Sequence, residues 1–165
     1  MDYKARALPT REALKHLEAD YAEHPGSEFI ELTLLLLNAS NMLREAIYAP
    51  MQHEHDLSEG KFILLMALSE KTEGMLAGQL AARVGVSFAT ISVMLKRMSS
   101  AEQPLITIER LPGDARSRLI KLSQAGADLI KHVLPDHFKA MSEFKKRLTS
   151  EDAQQLLSIL RKLQD

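Results

Sequence analysis

The stretch that most constrains this chain is LAGQLAARVGVSFATISVMLKRM, residues 76–98, in which two short helical patterns are separated only by Gly85-Val86. So brief a connection suits a tight reversal, and glycine tolerates the backbone angles that such a reversal needs. Leu80, Ala81 and Val84 supply the inner face of the first helix, and small Ala81 permits close approach of the second. Val86 is expected to point back into the same core. Ser87 is placed to cap the second helix, which Ile91 and Leu95 pin down. The pattern predicts a helix-turn-helix. Its outward positions are Ser87, Phe88, Thr90, Ser92, Val93, Lys96 and Arg97. Hydroxyls can reach base edges or phosphate, Lys and Arg can neutralise phosphate, and Phe88 or Val93 can meet a thymine methyl.

Pro104 breaks the helical pattern, and the sequence then reads as two short strands, Leu105–Arg110 and Arg118–Leu122, joined across Pro112-Gly113-Asp114. Arg110, Arg116 and Arg118 surround the glycine-containing loop, where long cationic side chains can cross a phosphate line or enter a minor groove. Asp114 is repelled by phosphate. It is better placed as an ion-pair partner for Arg116 or Arg118 that stabilises the wing, because a guanidinium suits bidentate pairing with a carboxylate.

Net charge over the whole chain is −1, which is uninformative until it is divided. Residues 1–60 hold 5 Lys/Arg against 11 Asp/Glu, whereas residues 75–121 hold 7 against 3. A polyanion responds to the surface facing it rather than to the total, so the basic middle segment is the part suited to a duplex.

The flanks read as helices. Thr10 caps a short helix from Arg11 to Tyr21, and Ser27 caps a long one reaching about Tyr48, which Pro50 is expected to stop. Phe29, Ile30, Leu32 to Leu37, Met42, Leu43 and Ile47 give that helix more apolar surface than one core face needs, as a partner subunit would explain. Ser58 caps a helix ending near Glu73-Gly74. Beyond the wing the pattern is helical from Gln124 to about Arg147, with a kink or a junction at Pro135, and then from Ala153 to Leu163 after a Thr149 cap. The expected fold is mainly α with a small β-ribbon: a winged helix-turn-helix with long N- and C-terminal dimerisation helices. Its divisions are an extension over 1–26, a dimerisation helix and linker over 27–56, the DNA-binding region over 57–122, and C-terminal dimerisation helices over 123–165.

The chain has no cysteine, which excludes disulfides, thiolate zinc sites and thiol redox chemistry. No aliphatic run approaches the roughly 18 to 20 residues of a membrane span, so the expected location is cytoplasmic, without membrane contact. His53 and His55 in MQHEHD, with His132 and His137, offer imidazoles. Their spacing matches no metal motif, and neither a metal nor another cofactor is expected. Nor is there a phosphate-binding glycine loop, an HExxH pair or a GxSxG elbow, so the chain reads as a non-enzyme. The alternatives are a non-catalytic interaction protein with a degenerate reader and a metal-responsive regulator.

From about Leu57 to Ile130 the sequence resembles the MarR family of winged helix-turn-helix transcriptional regulators. The resemblance lies in LSEGKFILLMALSE, in LAARVGVSFATISVMLKRM, and in PGDARSRLIKLSQAG with its Asp114/Arg116 pair and Leu122-Ser123-x-x-Gly126 ending. It implies a triangular homodimer on a pseudo-palindromic double-stranded operator, acting as a repressor that a small ligand relieves. A small aromatic acid or a phenolic compound is the ligand class implied, held between the dimer body and the reader. Two departures stand out: Val93, where the family often has a basic residue, and SSAEQPL in place of a short glycine turn before the wing.

Overall fold

A computed structural model describes residues 7–20, 25–111 and 114–164, without the side chains of 17–20, 111 and 114–117. The chain divides into two compact units, Met1–Ala49 and Pro50–Asp165.

The first unit contains α1 (Arg11–Asp20) and most of α2 (Ser27–His55). Thr10 caps α1 as its position predicts, its Oγ1 accepting the Ala13 N–H at 3.2 Å. Arg11 pairs with Glu31 of α2.

Pro50 does not stop α2, contrary to the sequence expectation; the helix continues to His55. An interior proline costs about 3 kcal/mol through a missing hydrogen bond and a ring clash. Continuing the helix carries Met51 into the buried set. The far end is also held: Asp56 takes a left-handed conformation at φ 49°, and the Leu57 N–H reaches back to the Met51 carbonyl at 3.2 Å. Lys61 donates to both the carbonyl and the carboxylate of Asp56 at 2.7 Å, and Gln52 donates to that carboxylate at 3.0 Å. These bonds keep the Asp56 carboxyl below the usual carboxylate range, Lys61 contributing most. The segment MQHEHD is therefore helical up to His55 rather than a linker.

In the second unit α3 (Glu59–Ser69) is the central element, with Phe62, Leu64, Leu65, Ala67 and Leu68 all buried. A helix apolar on so many sides must be covered on several, and α4 (Ala77–Val84), β3 (Asp114–Leu122) and α6 (Gln124–Lys145) pack on it. The remaining elements are β1 (Met75–Leu76), α5 (Phe88–Ser99), β2 (Ile106–Leu111) and α7 (Ser150–Lys162). Fully buried Leu57, Leu80, Ile91, Ile106 and Ile120 complete the core around the α3 leucines.

The ribbon is wider than the sequence predicts. The sheet has three antiparallel strands in the order β1-β3-β2, with Met75 opposite Ile120 and Leu76 opposite Leu119. Two residues are too few to display strand alternation, so β1 exists only because β3 offers it an edge. Accordingly α3 ends at Ser69, short of the expected Glu73, and Gly74 turns the chain at φ 94°. A side chain at Gly74 would meet the Ile120 carbonyl at 2.7 Å.

Pro135 lies inside a continuous α6, and Thr149 forms a capping box with Asp152 at the start of α7. Ser123 begins α6: its hydroxyl accepts the Gly126 N–H at 3.0 Å and donates to the Pro104 carbonyl at 2.6 Å, tying the helix to the chain before β2. Among the described residues no single helix is long and apolar enough to cross a membrane.

Candidate nucleic-acid interface

The α4 and α5 helices meet at 106°, within the range of a helix-turn-helix. Gly85 makes the turn at φ 75°, a conformation costing a side-chain-bearing residue about 1–2 kcal/mol. Its N–H and that of Val86 both bond the Ala81 carbonyl at 3.0 Å, satisfying the end of α4. Ser87 caps α5 by accepting the Thr90 N–H at 3.1 Å. Behind the turn Leu80, Ala81, Ile91, Leu95 and Met98 are buried, while Val84 and Val86 are half-buried. The angle between the helices is thus set by a core behind the turn and leaves the far face of α5 in solvent.

That far face carries the expected positions. Ser87, Phe88, Thr90, Ser92, Val93, Lys96 and Arg97 are all exposed, as are Arg110 and Arg118 on the wing. Phe88, Ser92, Val93 and Lys96 line one open concavity of about 820 Å³, joined by Gln79 from the first turn of α4 and Arg118 from β3. Ser87, Thr90 and Arg110 are not part of that lining. Arg97 faces elsewhere. It lines a second concavity, of about 1080 Å³, with His55, Lys61, Asp128 and His132.

In the wing, Arg110 of β2 stands directly opposite Arg118 of β3. Like charges in such register repel, so this pairing weakens an isolated ribbon and favours an anion beside it. Across the same two strands Lys121 of β3 pairs with Glu109 of β2 at 2.8 Å, which leaves the like-charged pair as the more cationic part of the described ribbon. The expected Asp114–Arg116 wing pair, with Arg116 as a contact residue, falls on side chains outside the described residues.

Gln79 went unnoticed in the sequence. Its Oε1 accepts the Leu76 N–H at 2.9 Å, the reciprocal half of a capping box without a hydroxylated cap. The signal was Gln at the third position of α4, readable only once that helix is known to begin at Ala77.

The histidines form two separate contacts. His55 and His132 meet edge to face with ring centres 5.2 Å apart, while His137 is buried against Phe62. Among the described residues no three His, Asp or Glu side chains come together as a group able to hold a metal.

No family model matches the chain. The transcriptional regulator HosA of Escherichia coli O111:H- is 28% identical over 116 residues, spanning 70% of this chain and 84% of HosA. The fold aligns with that of Sco3205, a MarR family transcriptional regulator from Streptomyces coelicolor solved in complex with DNA. The TM-score is 0.77 at 20% identity, covering 87% of this chain and 90% of that one. It also aligns with BpsR of Bordetella bronchiseptica, whose DNA binding is regulated by 6-hydroxynicotinic acid, at a TM-score of 0.67 and 19% identity over 82% of this chain and 99% of BpsR.

Proposed function

This chain has the winged helix-turn-helix fold of MarR family transcriptional regulators, and on that premise we propose that it is a sequence-specific, double-stranded-DNA-binding transcriptional regulator. The observation that carries the proposal is the convergence of the α5 face and wing Arg118 on one concavity, with Arg110 held in register opposite Arg118. A helix lying in a major groove and a cationic wing on the flanking phosphates use both features at once. Residues 57–122 would then be the DNA-binding region, with the contacts at Ser87, Phe88, Thr90, Ser92, Val93, Lys96, Arg97, Arg110, Arg116 and Arg118.

The regulator acts as a homodimer on a pseudo-palindromic operator. Support comes from α7, an amphipathic helix of 13 residues with no buried position in the single chain. Leu157, Ile159, Leu160 and Leu163 are exposed on it, and Phe138 and Met141 are exposed on α6. Phe29, Leu32, Leu35 and Leu37 are similarly exposed on α2. Apolar surface of this extent fits a subunit interface. Two readers in one dimer would enter half-sites about 34–36 Å apart.

The regulator is a repressor whose operator affinity a small aromatic or phenolic ligand lowers. The likeness to BpsR, with its 6-hydroxynicotinic acid, supports a ligand of this class. Such a ligand acts only by binding the DNA-competent and DNA-free shapes unequally. The working location is the cytoplasm, and catalysis plays no part.

The decisive experiment selects duplexes from a random pool with the full-chain protein and titrates the winners against scrambled controls. Enrichment of a two-fold-related sequence bound at least about a thousandfold more tightly than the controls is the expected result. Equal affinity for every duplex would overturn the proposal. It would favour an interaction protein with a degenerate reader, the reading that exposed Phe88 and Val93 would then serve.

A further inference from the structure

We infer that α5 selects its duplex chiefly through the 5-methyl groups of thymine, contacted by Phe88 and Val93, rather than through hydrogen bonds to base edges. The inference rests on the DNA reading above and specifies the chemistry of that same face.

Residues in the N-terminal part of a reader helix are the ones that reach base edges. In α5 that part displays two large apolar side chains to solvent: Phe88 is 63% exposed and Val93 52%. Ile91, Leu95 and Met98 form the buried stripe of α5; Val93 points away from it, and Phe88, at the N-terminal end of the helix beside that stripe, is left in solvent. Both line the concavity shared with the wing.

The polar groups of the same turns are largely occupied. Ser92 donates its hydroxyl proton to the Phe88 carbonyl at 2.8 Å. Ser87 and Thr90 share a hydroxyl hydrogen bond at 2.9 Å, and the Ser87 oxygen also accepts the Thr90 N–H. Of three hydroxyl protons, two are therefore spent within the helix. The bidentate readers of guanine and adenine are Arg, Lys, Asn and Gln. The helix, FATISVMLKRMS, has no Asn or Gln; its cations come late, with Lys96 in the third turn and Arg97 turned to the other concavity.

Among the unmodified bases only thymine presents a methyl group in the major groove. Removing that group costs about 0.8 kcal/mol when it is buried against an apolar side chain, or about fourfold in affinity. Deoxyuridine differs from thymidine by this methyl alone and keeps every hydrogen-bonding group. Conversely, 5-methylcytosine adds the methyl to another base.

The test starts from the duplex selected by the full-chain protein and replaces each thymidine in a half-site by deoxyuridine, one at a time. The expected result is a loss of about fourfold at two positions per half-site, with the others unaffected. Phe88→Ser and Val93→Ser proteins should each lose the penalty at one of these positions and keep it at the other, both substitutions being at solvent-exposed sites that leave the core intact. Unchanged affinity with deoxyuridine throughout overturns the inference while leaving DNA recognition standing. So does a penalty that neither variant removes at either position. Failure to select any duplex overturns the DNA reading, and this inference with it.

Discussion

The imidazole of His137 on α6 lies 4.6 Å, ring centre to ring centre, from the phenyl ring of Phe62 on α3, and only 7% of His137 is exposed. The Phe138 ring stands 5.9 Å away on the same helix. Burial among these groups disfavours the imidazolium and lowers the His137 pKa from its ordinary 6.5. The unfolded chain takes up a proton near 6.5 whereas the folded chain stays neutral, so stability is full above that pH. It declines as the pH falls from there through the folded-state value. Thermal unfolding followed from about pH 7.5 to about pH 5 should show a falling midpoint, and His137→Leu should flatten the decline. An equally steep decline in that variant would remove His137 as its source.

Two glycines should respond to alanine with opposite signs. At Gly126 a Cβ would collide with the Leu105 carbonyl oxygen and sit 2.8 Å from a Leu122 methyl, and the backbone obstacle cannot rotate away. Gly126→Ala should destabilise by about 3 kcal/mol, the strain exceeding the helix-propensity gain of about 1 kcal/mol. At Gly78 nothing lies within 4 Å, so Gly78→Ala should stabilise by about 0.5–1 kcal/mol. Urea midpoints of both proteins against the parent give the comparison, and the same sign at both positions would contradict it.

Lys96 and Arg118 enter the same concavity from different elements, and each should neutralise a phosphate. In each protomer, replacing either with alanine should make the slope of log affinity against log salt shallower by about 0.9 for every phosphate left without its cation. Affinity should fall on specific and random duplexes alike. A weakening confined to the selected duplex, with an unchanged slope, would mean that the residue reads bases instead.

Leu157 is exposed on a helix that has no fully buried residue, only Ala153 and Leu156 being half-buried. Leu157→Glu should place a charge in the proposed subunit interface and shift sedimentation from dimer towards monomer at micromolar concentration, with operator affinity falling in parallel. Parent protein sedimenting as a monomer would contradict the dimer directly.

Much of the reader was legible because its signals are local. The Gly85 turn, the Ser87 cap and the Ile91, Leu95 face depend on residues within a few positions of one another. Ser58 and Thr149 mark their helices for the same reason: a cap is one side chain bonding a backbone N–H two or three residues on. The error at Pro50 shows the limit of such reasoning, since the local penalty is real but is offset by Met51 burial and by the Lys61 bonds to Asp56.

By itself, then, the sequence determined which segments turn, cap and carry an apolar stripe, because those properties are settled by neighbours along the chain. Only the tertiary structure decided that Met75-Leu76 becomes a strand, that Arg97 parts company with Lys96, and that Arg110 faces Arg118 across the ribbon. Each of these is decided by pairing or packing between separate elements, and no periodicity along the chain encodes which distant edge will be there to receive it.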